Sequence, residues 1–335
     1  MRNYSEEFIS NSLIKLFLRE QLMGKSVSLC SCCKRKESFF YRIYSGEQLC
    51  KKCFAESIEN KVRATISRYK MLNYNDHVAI AISGGKDSLS LLYVLAQMEQ
   101  KYPRATLTAI TVDEGIKGYR DEALDIASKI CKTWDIPHYT VSFKELYGYT
   151  LDDIVQKIRE HKNELTACAY CGVLRRKALN IAALEVKANK IATGHTLDDE
   201  VQTSLLNIFH GDIAKISSEK PITDKVHPRL VQKIKPFCEI PEKESALYAY
   251  IKKIDFQSTP CPYASEAMRN DIRNLLNQIE EKHAGTKFTV FKSMEKLRPA
   301  MAYLKVESKY KECKKCSDPA TGTLCMACEL LKQIE

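Results

Sequence analysis

The sequence predicts an α/β protein with a doubly wound parallel sheet and a small zinc-ribbon module at each end. Apolar runs typical of buried strands alternate along the chain with helical segments, and this alternation predicts the sheet. Pairs of Cys-x2-Cys motifs near the two ends predict the modules. A chain of 335 residues is long enough to bury a full core without disulfide bonds.

Four strands follow from the hydropathy pattern. The first, residues 78–82, is a continuous apolar run of the kind that is buried on both faces of a parallel sheet. The other strands are predicted at 106–112, 138–142 and 190–193, and helices at 89–95, 121–134 and 172–188. Ligands of such sheets bind at the carboxyl ends of the strands. Three loops are expected to meet at that edge: 83–88, 113–118 and 194–199.

The composition indicates which kinds of partner and which cellular compartment to expect. The net charge of +10 favours partners with phosphate backbones, although many basic proteins bind none. No segment approaches the roughly 18–20 apolar residues that span a bilayer. The start carries Glu6 and Glu7 and lacks the apolar core of a secretory signal. We therefore expect a cytoplasmic protein without a membrane segment, whose fourteen cysteines are metal ligands or reactive groups rather than disulfides.

Eight cysteines form two sets with the spacing of zinc ligands. In each set, two Cys-x2-Cys turns point four sulfur atoms at one centre, which predicts a closed tetrahedral site that stabilises a small fold. The first set is Cys30, Cys33, Cys50 and Cys53, and the second is Cys313, Cys316, Cys325 and Cys328. Cys32 is an extra thiol inside the first motif and a competing ligand.

A third set consists of Cys168, Cys171 and the distant Cys261, with no fourth cysteine at a similar spacing. Three thiolates leave one coordination position open, which suits a reactive centre better than a structural one. The same residues also fit a metal-free persulfide and disulfide cycle. Cys168 precedes the predicted helix 172–188 and is expected at the carboxyl edge of the sheet. The two remaining cysteines are expected to be structural: Cys131 and Cys238.

The loop Ser83-Gly84-Gly85-Lys86-Asp87-Ser88 connects the first strand to an apolar helix. A strand, a glycine loop and a helix N-terminus form an anion cradle, because backbone N–H groups and the helix dipole converge there. The motif is neither a Walker P-loop nor the dinucleotide Gly-x-Gly-x-x-Gly. The sequence therefore predicts a phosphate-binding loop of another class, with a plain tight turn as the alternative.

Four polar residues near this edge are candidates for chemistry. Asp198 and Asp199 fall in the first turn of a helix, where acids complement the helix dipole. Because they lie at the carboxyl edge of the sheet, beside the predicted phosphate loop, one of them is expected to face the substrate base or Mg²⁺. Arg175 lies one helical turn beyond Cys171 and either holds a nucleotide phosphate or is a surface cation. His195 is expected to make a local hydrogen bond rather than to catalyse.

Together these motifs are similar to a known family. The glycine loop resembles the PP-loop of the ATP pyrophosphatase superfamily, and the full set resembles the archaeal and eukaryotic-type tRNA 2-thiouridine synthetases. The matching segments are Ser83–Ser88, Val112–Gly115, Cys168–Gly172, Thr193–Glu200 and Pro260–Tyr263. The helix that follows Pro260–Tyr263 matches as well. The resemblance covers roughly residues 28 to 330.

The resemblance implies a PP-loop fold that uses ATP and Mg²⁺ to pass AMP to the O2 atom of a tRNA uridine, after which sulfur displaces AMP. It implies that Cys168, Cys171 and Cys261 hold a [4Fe-4S] cluster with one iron open to sulfide, and that Asp199 is the essential acid. The implied contacts to ATP are Ile82, Ser83, Gly84, Gly85, Asp87, Ser88, Arg175 and Gly194. It also implies a homodimer that receives sulfur from a thiocarboxylated ubiquitin-like protein or from free sulfide.

Several alternatives stay open at this point. The thiolated uridine is expected at the wobble position, with the T-loop as the alternative. A PP-loop ligase that amidates a carbonyl would share the loop, but a nitrogen donor would not require the third cysteine set. A zinc-ribbon RNA-binding scaffold with an inactive nucleotide fold is the remaining alternative, which the intact PP-loop argues against.

Four segments are predicted along the chain. They are a helical extension at 1–27, a zinc ribbon at 28–56, a PP-loop catalytic domain with linking helices at 57–305, and a second zinc ribbon at 306–335. The extension precedes the first Cys-x2-Cys motif, so translation is hypothesised to start at Met23. Intact mass of the native protein tests this.

Overall fold

The computed structural model describes residues 28–161, 165–263, 268–302 and 310–335, so the predicted extension and the start at Met23 lie outside the described residues. The strands are β1 (Phe40–Arg42), β2 (Glu47–Leu49), β3 (His77–Ala81), β4 (Thr106–Asp113), β5 (His138–Ser142), β6 (Lys190–Thr193), β7 (Gln232–Ile234), β8 (Lys311–Glu312) and β9 (Pro319–Ala320). The helices are α1 (Lys51–Arg68), α2 (Lys86–Glu99), α3 (Arg120–Thr133), α4 (Phe143–Tyr147), α5 (Leu151–Glu160), α6 (Ala167–Glu185), α7 (Leu197–Phe209), α8 (Ile213–Ser218), α9 (Glu242–Lys252), α10 (Arg269–Lys282), α11 (Thr286–Ala302) and α12 (Met326–Lys332).

Five parallel strands form the central sheet, in the order β5-β4-β3-β6-β7. The predicted doubly wound sheet is therefore confirmed. The winding reverses between β3 and β6, so a crevice opens there at the carboxyl ends of the strands. The edge strand β7 was not predicted, because its three residues, Gln-Lys-Ile, show no apolar run.

The two faces of the sheet carry separate apolar cores. Along β3, Val78 and Ile80 pack into one core, whereas Ala79 packs into the other. Helices α1, α2 and α9 cover the first core, and α5, α6 and α12 cover the second. This alternation explains why strands of this sheet are apolar at consecutive positions rather than at every other one.

One helix begins earlier than the sequence predicts. The pattern predicts a helix at 172–188, but α6 starts at Ala167, after Thr166, whose hydroxyl accepts a hydrogen bond from the Ala169 N–H at 3.3 Å. Cys168 and Cys171 therefore lie in the first turns of α6 rather than before it. The prediction was wrong because a Cys-x2-Cys motif is typical of a turn, whereas the alanines on either side of Cys168 and the Thr166 cap favour a helix here.

Both end modules pack on the central domain. In the first, the β1–β2 hairpin leads into α1, and buried Arg42 donates to Glu244 of α9 at 2.7 and 3.1 Å. In the second, β8, β9 and α12 pack on α6. Helix α1 runs across the predicted boundary at 56/57, and the domain boundaries stay a prediction. Among the described residues, no helix is both long and apolar enough to span a membrane.

Candidate active site

The loop after β3 is held closed by its own residues. Ser88 Oγ donates to Gly85 O at 2.9 Å and accepts from Ser83 N at 3.1 Å. Gly84 has φ +83, and a Cβ there would lie 2.7 Å from Ala123 Cβ, so only glycine fits against α3. Helix α2 begins with no side-chain cap at Gly85, which leaves its first N–H groups for an anion.

A second loop packs directly onto the first. A Cβ at Gly194 would lie 2.9 Å from backbone atoms of both Asp87 and Ser88. Because backbone atoms cannot move aside as a side-chain end can, the contact requires glycine. Gly194 thus sets the distance between the loop after β6 and the loop after β3.

These loops enclose one side of a cavity of about 270 Å³ at the carboxyl edge of β3, β4 and β6. Its lining includes most of the residues that the resemblance implied for ATP, together with Asp199. The full lining is Ala81, Ile82, Ser83, Gly85, Asp87, Ser88, Val112, Glu114, Arg120, Arg175, Leu179, Thr193, Gly194, His195 and Asp199. Gly84 is not among the lining residues, since it packs against α3 instead.

Asp87 presents one carboxylate oxygen with no partner among the described residues. Its Oδ2 accepts from Lys86 Nζ at 2.9 Å, and Lys86 also binds Glu242 at 2.9 Å. Its Oδ1 is buried and forms no hydrogen bond of normal length. Burial raises the pKa of Asp87, although the Lys86 charge and the nearby Ser245 hydroxyl oppose this. An unpartnered carboxylate oxygen beside a phosphate loop fits a hard cation such as Mg²⁺, which prefers oxygen ligands.

The buried Glu114 joins two arginines at the cavity wall. Its carboxylate lies 2.8 Å from Arg120 Nε and 2.6 Å from Arg175 Nε. Arg120 also donates to the carbonyl oxygens of Ser83, at 2.7 Å, and Val112, at 2.6 and 3.0 Å. This chain of contacts ties the ends of β3 and β4 to α6, and it positions Arg175 at the cavity.

Arg120 was not among the predicted site residues. Its sequence signal is a cation on the buried face of a helix, three residues before buried Ala123 and seven before buried Ala127. A charge at such a position is rarely buried without a partner, so this pattern was available in the sequence.

Arg175 also contacts the third cysteine set. Its Nη2 donates to Cys171 Sγ at 3.1 Å. Burial raises the pKa of the Cys171 thiol to about 11, and the Arg175 charge opposes the shift. For Arg175 itself, burial lowers the pKa, but Glu114 and Cys171 outweigh burial and raise it. Arg175 therefore stays charged and links the nucleotide cavity to the cysteines.

The distant Cys261 is brought to the same place. Cys168 Sγ donates to Tyr263 O at 3.4 Å, and the Tyr263 hydroxyl donates to Asp152 of α5 at 2.7 Å. The charge of Cys261 contributes to raising the pKa of Cys171, after burial and Glu114. Cys168 is exposed, Cys171 is buried and Cys261 is half-buried.

The three sulfur atoms of this set do not converge as closely as the zinc-type sets. Among the described residues, the groups whose donor atoms all lie within 4.8 Å of one another are the two four-cysteine sets. A wider spacing fits a polynuclear cluster, in which each thiolate binds a different iron. The donor chemistry of Cys168, Cys171 and Cys261, three thiols beside a cation, fits such a group.

Adjacent Asp198 and Asp199 have different surroundings. Asp198 is buried, accepts from Glu242 N at 2.7 Å and pairs with Lys287 of α11. Asp199 Oδ2 accepts from Thr196 N at 2.9 Å, and its side chain lines the cavity. Of this adjacent pair, Asp198 is therefore held in buried contacts with α9 and α11, whereas Asp199 lines the cavity.

The protonation states at this loop follow from its surroundings. Burial raises the pKa of Asp199, but His195, the Thr196 hydrogen bonds and Arg269 outweigh it and lower the pKa. The surrounding protein atoms, followed by the charge of Lys235, lower the pKa of His195 to about 4. Its Nδ1 lies 2.8 Å from Thr193 Oγ1, which is the expected local hydrogen bond. At neutral pH the loop thus presents a carboxylate and a neutral imidazole.

The end sets converge as the spacing predicts. In each set the four sulfur atoms lie within 4.8 Å of one another, and three of the four cysteines are buried. Cys32 is exposed and does not belong to the first set. Four converging thiols fit a single tetrahedral ion, and sulfur ligands suit iron as well as zinc. The remaining cysteines, Cys131 and Cys238, are buried in the first apolar core as predicted.

Comparison with known proteins gives consistent matches. The PP-loop domain family matches residues 54–280. The tRNA 2-thiolation protein NcsA of Haloferax volcanii is 36% identical over 321 residues, 91% of this chain and 99% of the relative. Cytoplasmic tRNA 2-thiolation protein 1 of Schizosaccharomyces pombe is 34% identical, over 92% of this chain and 91% of the relative.

A solved structure also matches most of the chain, at a similar sequence identity. It is described as the U34-tRNA thiolase NcsA from Methanococcus maripaludis with its [4Fe-4S] cluster. It superposes with a TM-score of 0.78 at 35% identity, over 91% of this chain and 95% of that chain. With its PP-loop, its third cysteine set beside the cavity and these matches, the chain belongs to the PP-loop family and, within it, to the tRNA 2-thiolation proteins.

Proposed function

We propose that the chain is a tRNA uridine 2-sulfurtransferase that adenylates the uridine O2 with ATP and then replaces that oxygen with sulfur. The observation that carries the proposal is the cavity itself. The phosphate loop, Asp199 and Arg175 line one cavity, and Arg175 also contacts Cys171. Relatives at 34–36% identity, two named as tRNA 2-thiolation proteins and one as a probable sulfurtransferase, support the same activity.

The residues of the cavity have distinct roles in this proposal. The loop 83–88 and the start of α2 bind the ATP phosphates, and Asp87 Oδ1 is the candidate ligand of Mg²⁺. Arg175, held by Glu114, stabilises negative charge that develops on the α-phosphate. Asp199 accepts a hydrogen bond from uracil N3–H, which makes O2 a better nucleophile towards the α-phosphorus as pyrophosphate leaves.

The third cysteine set would hold a [4Fe-4S] cluster through Cys168, Cys171 and Cys261. When bound, such a cluster supplies an iron without a protein ligand, which can hold sulfide. The residues around the set contribute charge and position: Arg175 lies beside Cys171, and Tyr263 fixes the loop of Cys261 on α5.

Substitution of one ligand tests the chemistry. We expect Cys261→Ser, purified without oxygen, to lose the broad visible absorbance of an iron–sulfur cluster and to lose tRNA thiolation. The matched control is Cys131→Ser, a buried cysteine of the other core, which should keep both. Loss of thiolation without any cluster in the wild type would favour the persulfide cycle. Full thiolation by Cys261→Ser would contradict the proposal.

The proposed acceptor is the wobble uridine. Support comes from the 35% identical protein described as a U34-tRNA thiolase. Mass spectrometry of nuclease fragments of tRNA from a deletion strain, with and without the complementing gene, identifies the position. Thiolation that changes only in the T-loop fragment would refute this assignment.

The remaining assignments are proposals of the same kind. We expect two Zn²⁺ per chain in the end modules, a homodimer, a cytoplasmic location, and sulfur from a thiocarboxylated ubiquitin-like protein or from sulfide. The four-cysteine geometry supports the metal sites. Elemental analysis that finds iron instead of zinc in variants lacking Cys261 would refute the zinc assignment, and light scattering tests the dimer.

A further inference from the structure

Near the site, two cations have no ion-pair partner in the part of the chain that the structure describes. Among the described residues, neither Arg176 of α6 nor Lys233 of β7 forms an ion pair or a side-chain hydrogen bond. Their neighbours differ in this respect. Arg175 pairs with Glu114, and Lys235 pairs with both Glu200 and Glu219.

Asn180 joins α6 to the segment that leads into β7, which brings the two cations near each other. Asn180 Nδ2 donates to Arg229 O at 2.8 Å, and Asn180 Oδ1 accepts from Val231 N at 2.9 Å. Arg176 lies one helical turn before Asn180, about 5 Å towards the carboxyl edge of the sheet. Lys233 lies two residues after Val231, about 7 Å towards the same edge. The Asn180 contacts therefore place Arg176 near Lys233. Lys233 is level with Ile191 of β6, and its charge also acts on His195 at the cavity.

Arg176 also lies close to the cysteine set. A Cβ at Gly172 would be 3.5 Å from Arg176 Nη1 and 3.9 Å from Nη2. The guanidinium therefore folds back over Gly172, the residue that follows Cys171.

The charge of the two cations is uncompensated. Burial, Arg176 and Lys235 lower the pKa of Lys233 to about 8, and no acid opposes them. Burial and Arg175 likewise lower the pKa of Arg176, opposed only by Cys171. An anion that binds between two adjacent cations offsets their repulsion and favours their charged forms.

The position separates this pair of cations from the phosphate loop. The loop follows β3, whereas Lys233 is on β7, two strands away across β6. Two strand spacings are about 10 Å. An ATP bound with its phosphates on the loop therefore leaves Arg176 and Lys233 for a different phosphate, on the side of the cysteines.

We propose that Arg176 and Lys233 form a subsite for a backbone phosphate of the RNA acceptor, beside the uridine that is thiolated. This rests on the proposed function, because it assigns the phosphate to the substrate of that reaction. A phosphate held there turns the base towards Asp199 and the cysteine set, and the cations position the substrate without touching the reacting atoms.

Charge removal tests the subsite. We expect Arg176→Gln and Lys233→Gln each to raise the Kd and KM for tRNA about 3- to 10-fold, with the KM for ATP unchanged. The slope of log K against log salt should fall by about 0.7–0.9 when one phosphate contact is lost. Arg176→Lys and Lys233→Arg should restore most of the affinity. The control is Lys101→Gln, an exposed lysine after α2 at the opposite edge of the sheet.

A modified substrate locates the phosphate. A tRNA with one neutral methylphosphonate linkage beside the target uridine should bind the wild type more weakly. The Arg176→Gln, Lys233→Gln double variant should bind this modified tRNA and normal tRNA with the same Kd. This non-additivity is expected only if the linkage and the cations contact each other.

The outcomes separate the two proposals. If the wild type thiolates tRNA but the variants keep the tRNA Kd and the salt slope, the subsite is refuted and the function stands. A change in the KM for ATP alone also refutes it, because the phosphate would then belong to ATP. If the wild type binds tRNA through these cations but thiolates nothing, the proposed function fails instead. Thermal unfolding and the charge-preserving variants identify a variant that has lost its fold.

Discussion

At the scale of single residues, Asp198 and Asp199 show how neighbours acquire different roles. Successive residues of a helix point about 100° apart, so one carboxylate faces α9 and α11 while the other faces the cavity. Asp198 is buried against Lys287, whereas Asp199 caps α7 together with Thr196. The same chemical group therefore stabilises the fold at one position and serves the site at the next.

Matched substitutions of the two acids should separate these roles. We expect Asp198→Asn to lower the free energy of unfolding by about 3–5 kcal/mol, because Lys287 is left charged and buried. Asp199→Asn should instead lower kcat/KM for thiolation about 100-fold or more and cost only about 1 kcal/mol of stability, because an asparagine can still accept the capping hydrogen bond. Urea unfolding and thiolation rates provide the measurements. Equal loss of stability in both variants would contradict the division of roles.

Gly194 is a second position at which a single side-chain atom, a Cβ, is expected to change activity. We expect Gly194→Ala to lower kcat/KM for ATP about 10- to 100-fold, because the new Cβ displaces the loop of Asp87 and Ser88. The fold should persist, as judged by circular dichroism. The control is Gly322→Ala, where a Cβ would meet its nearest atom at 3.7 Å. An unchanged KM for ATP in Gly194→Ala would argue against a role of the loop contact.

At the scale of elements, α6 connects three parts of the molecule. Its first turns carry Cys168 and Cys171, and Arg175 lines the cavity. Half a turn further, Lys177 Nζ lies 3.0 Å from Cys316 Sγ, 3.6 Å from Cys325 Sγ and 2.9 Å from Asp318. The C-terminal module is thus bonded to the same helix that presents the cysteine set.

The Lys177 contact should govern metal retention in that module. We expect Lys177→Met to release the C-terminal metal to a chelator about 10-fold faster or more, as loss of an outer-shell partner does at other sites. Lys177→Arg should restore part of the retention. The control is Lys332→Met, an exposed lysine on α12. The rate of metal release is measured with a colorimetric chelator. Equal rates for all variants would refute a role of Lys177 in metal retention.

At the scale of the whole molecule, the N-terminal module is joined to the central domain by buried charge. Arg42 of β1 binds Glu244 of α9, and the Tyr44 hydroxyl donates to the same carboxylate at 2.5 Å. Further along α1, buried Thr65 donates to Glu239, and the more exposed Arg68 pairs with the same carboxylate. Module and domain therefore share an interface whose buried charges cannot be exposed one at a time without cost.

Two glutamates that share Arg42 test this interface. We expect Glu244→Gln to lower the free energy of unfolding by about 3–5 kcal/mol, because it leaves the buried Arg42 without its buried partner. Glu47→Gln, which removes the half-exposed partner of the same arginine, should cost less than about 1 kcal/mol. Urea unfolding compares them. Similar losses of unfolding free energy in the two variants would mean that burial of the interface contributes little to stability.

What the sequence by itself determined is local. Apolar periodicity identified four of the five central strands, and motif spacing identified the phosphate loop and both four-cysteine sets, because each depends on residues near one another in the chain. It also selected Cys168, Cys171 and Cys261 as a third set, although their proximity rested on a resemblance.

Only the tertiary structure decided which distant groups meet. The loop of Cys261 contacts the start of α6 through Tyr263, some 95 residues from Cys168. The Arg120–Glu114–Arg175 chain, the burial of Asp198 and the edge strand β7 likewise depend on how elements pack. Hydropathy records that a position is buried, but it does not record against what. The assignment of roles among equivalent acids and cations therefore required the packed molecule.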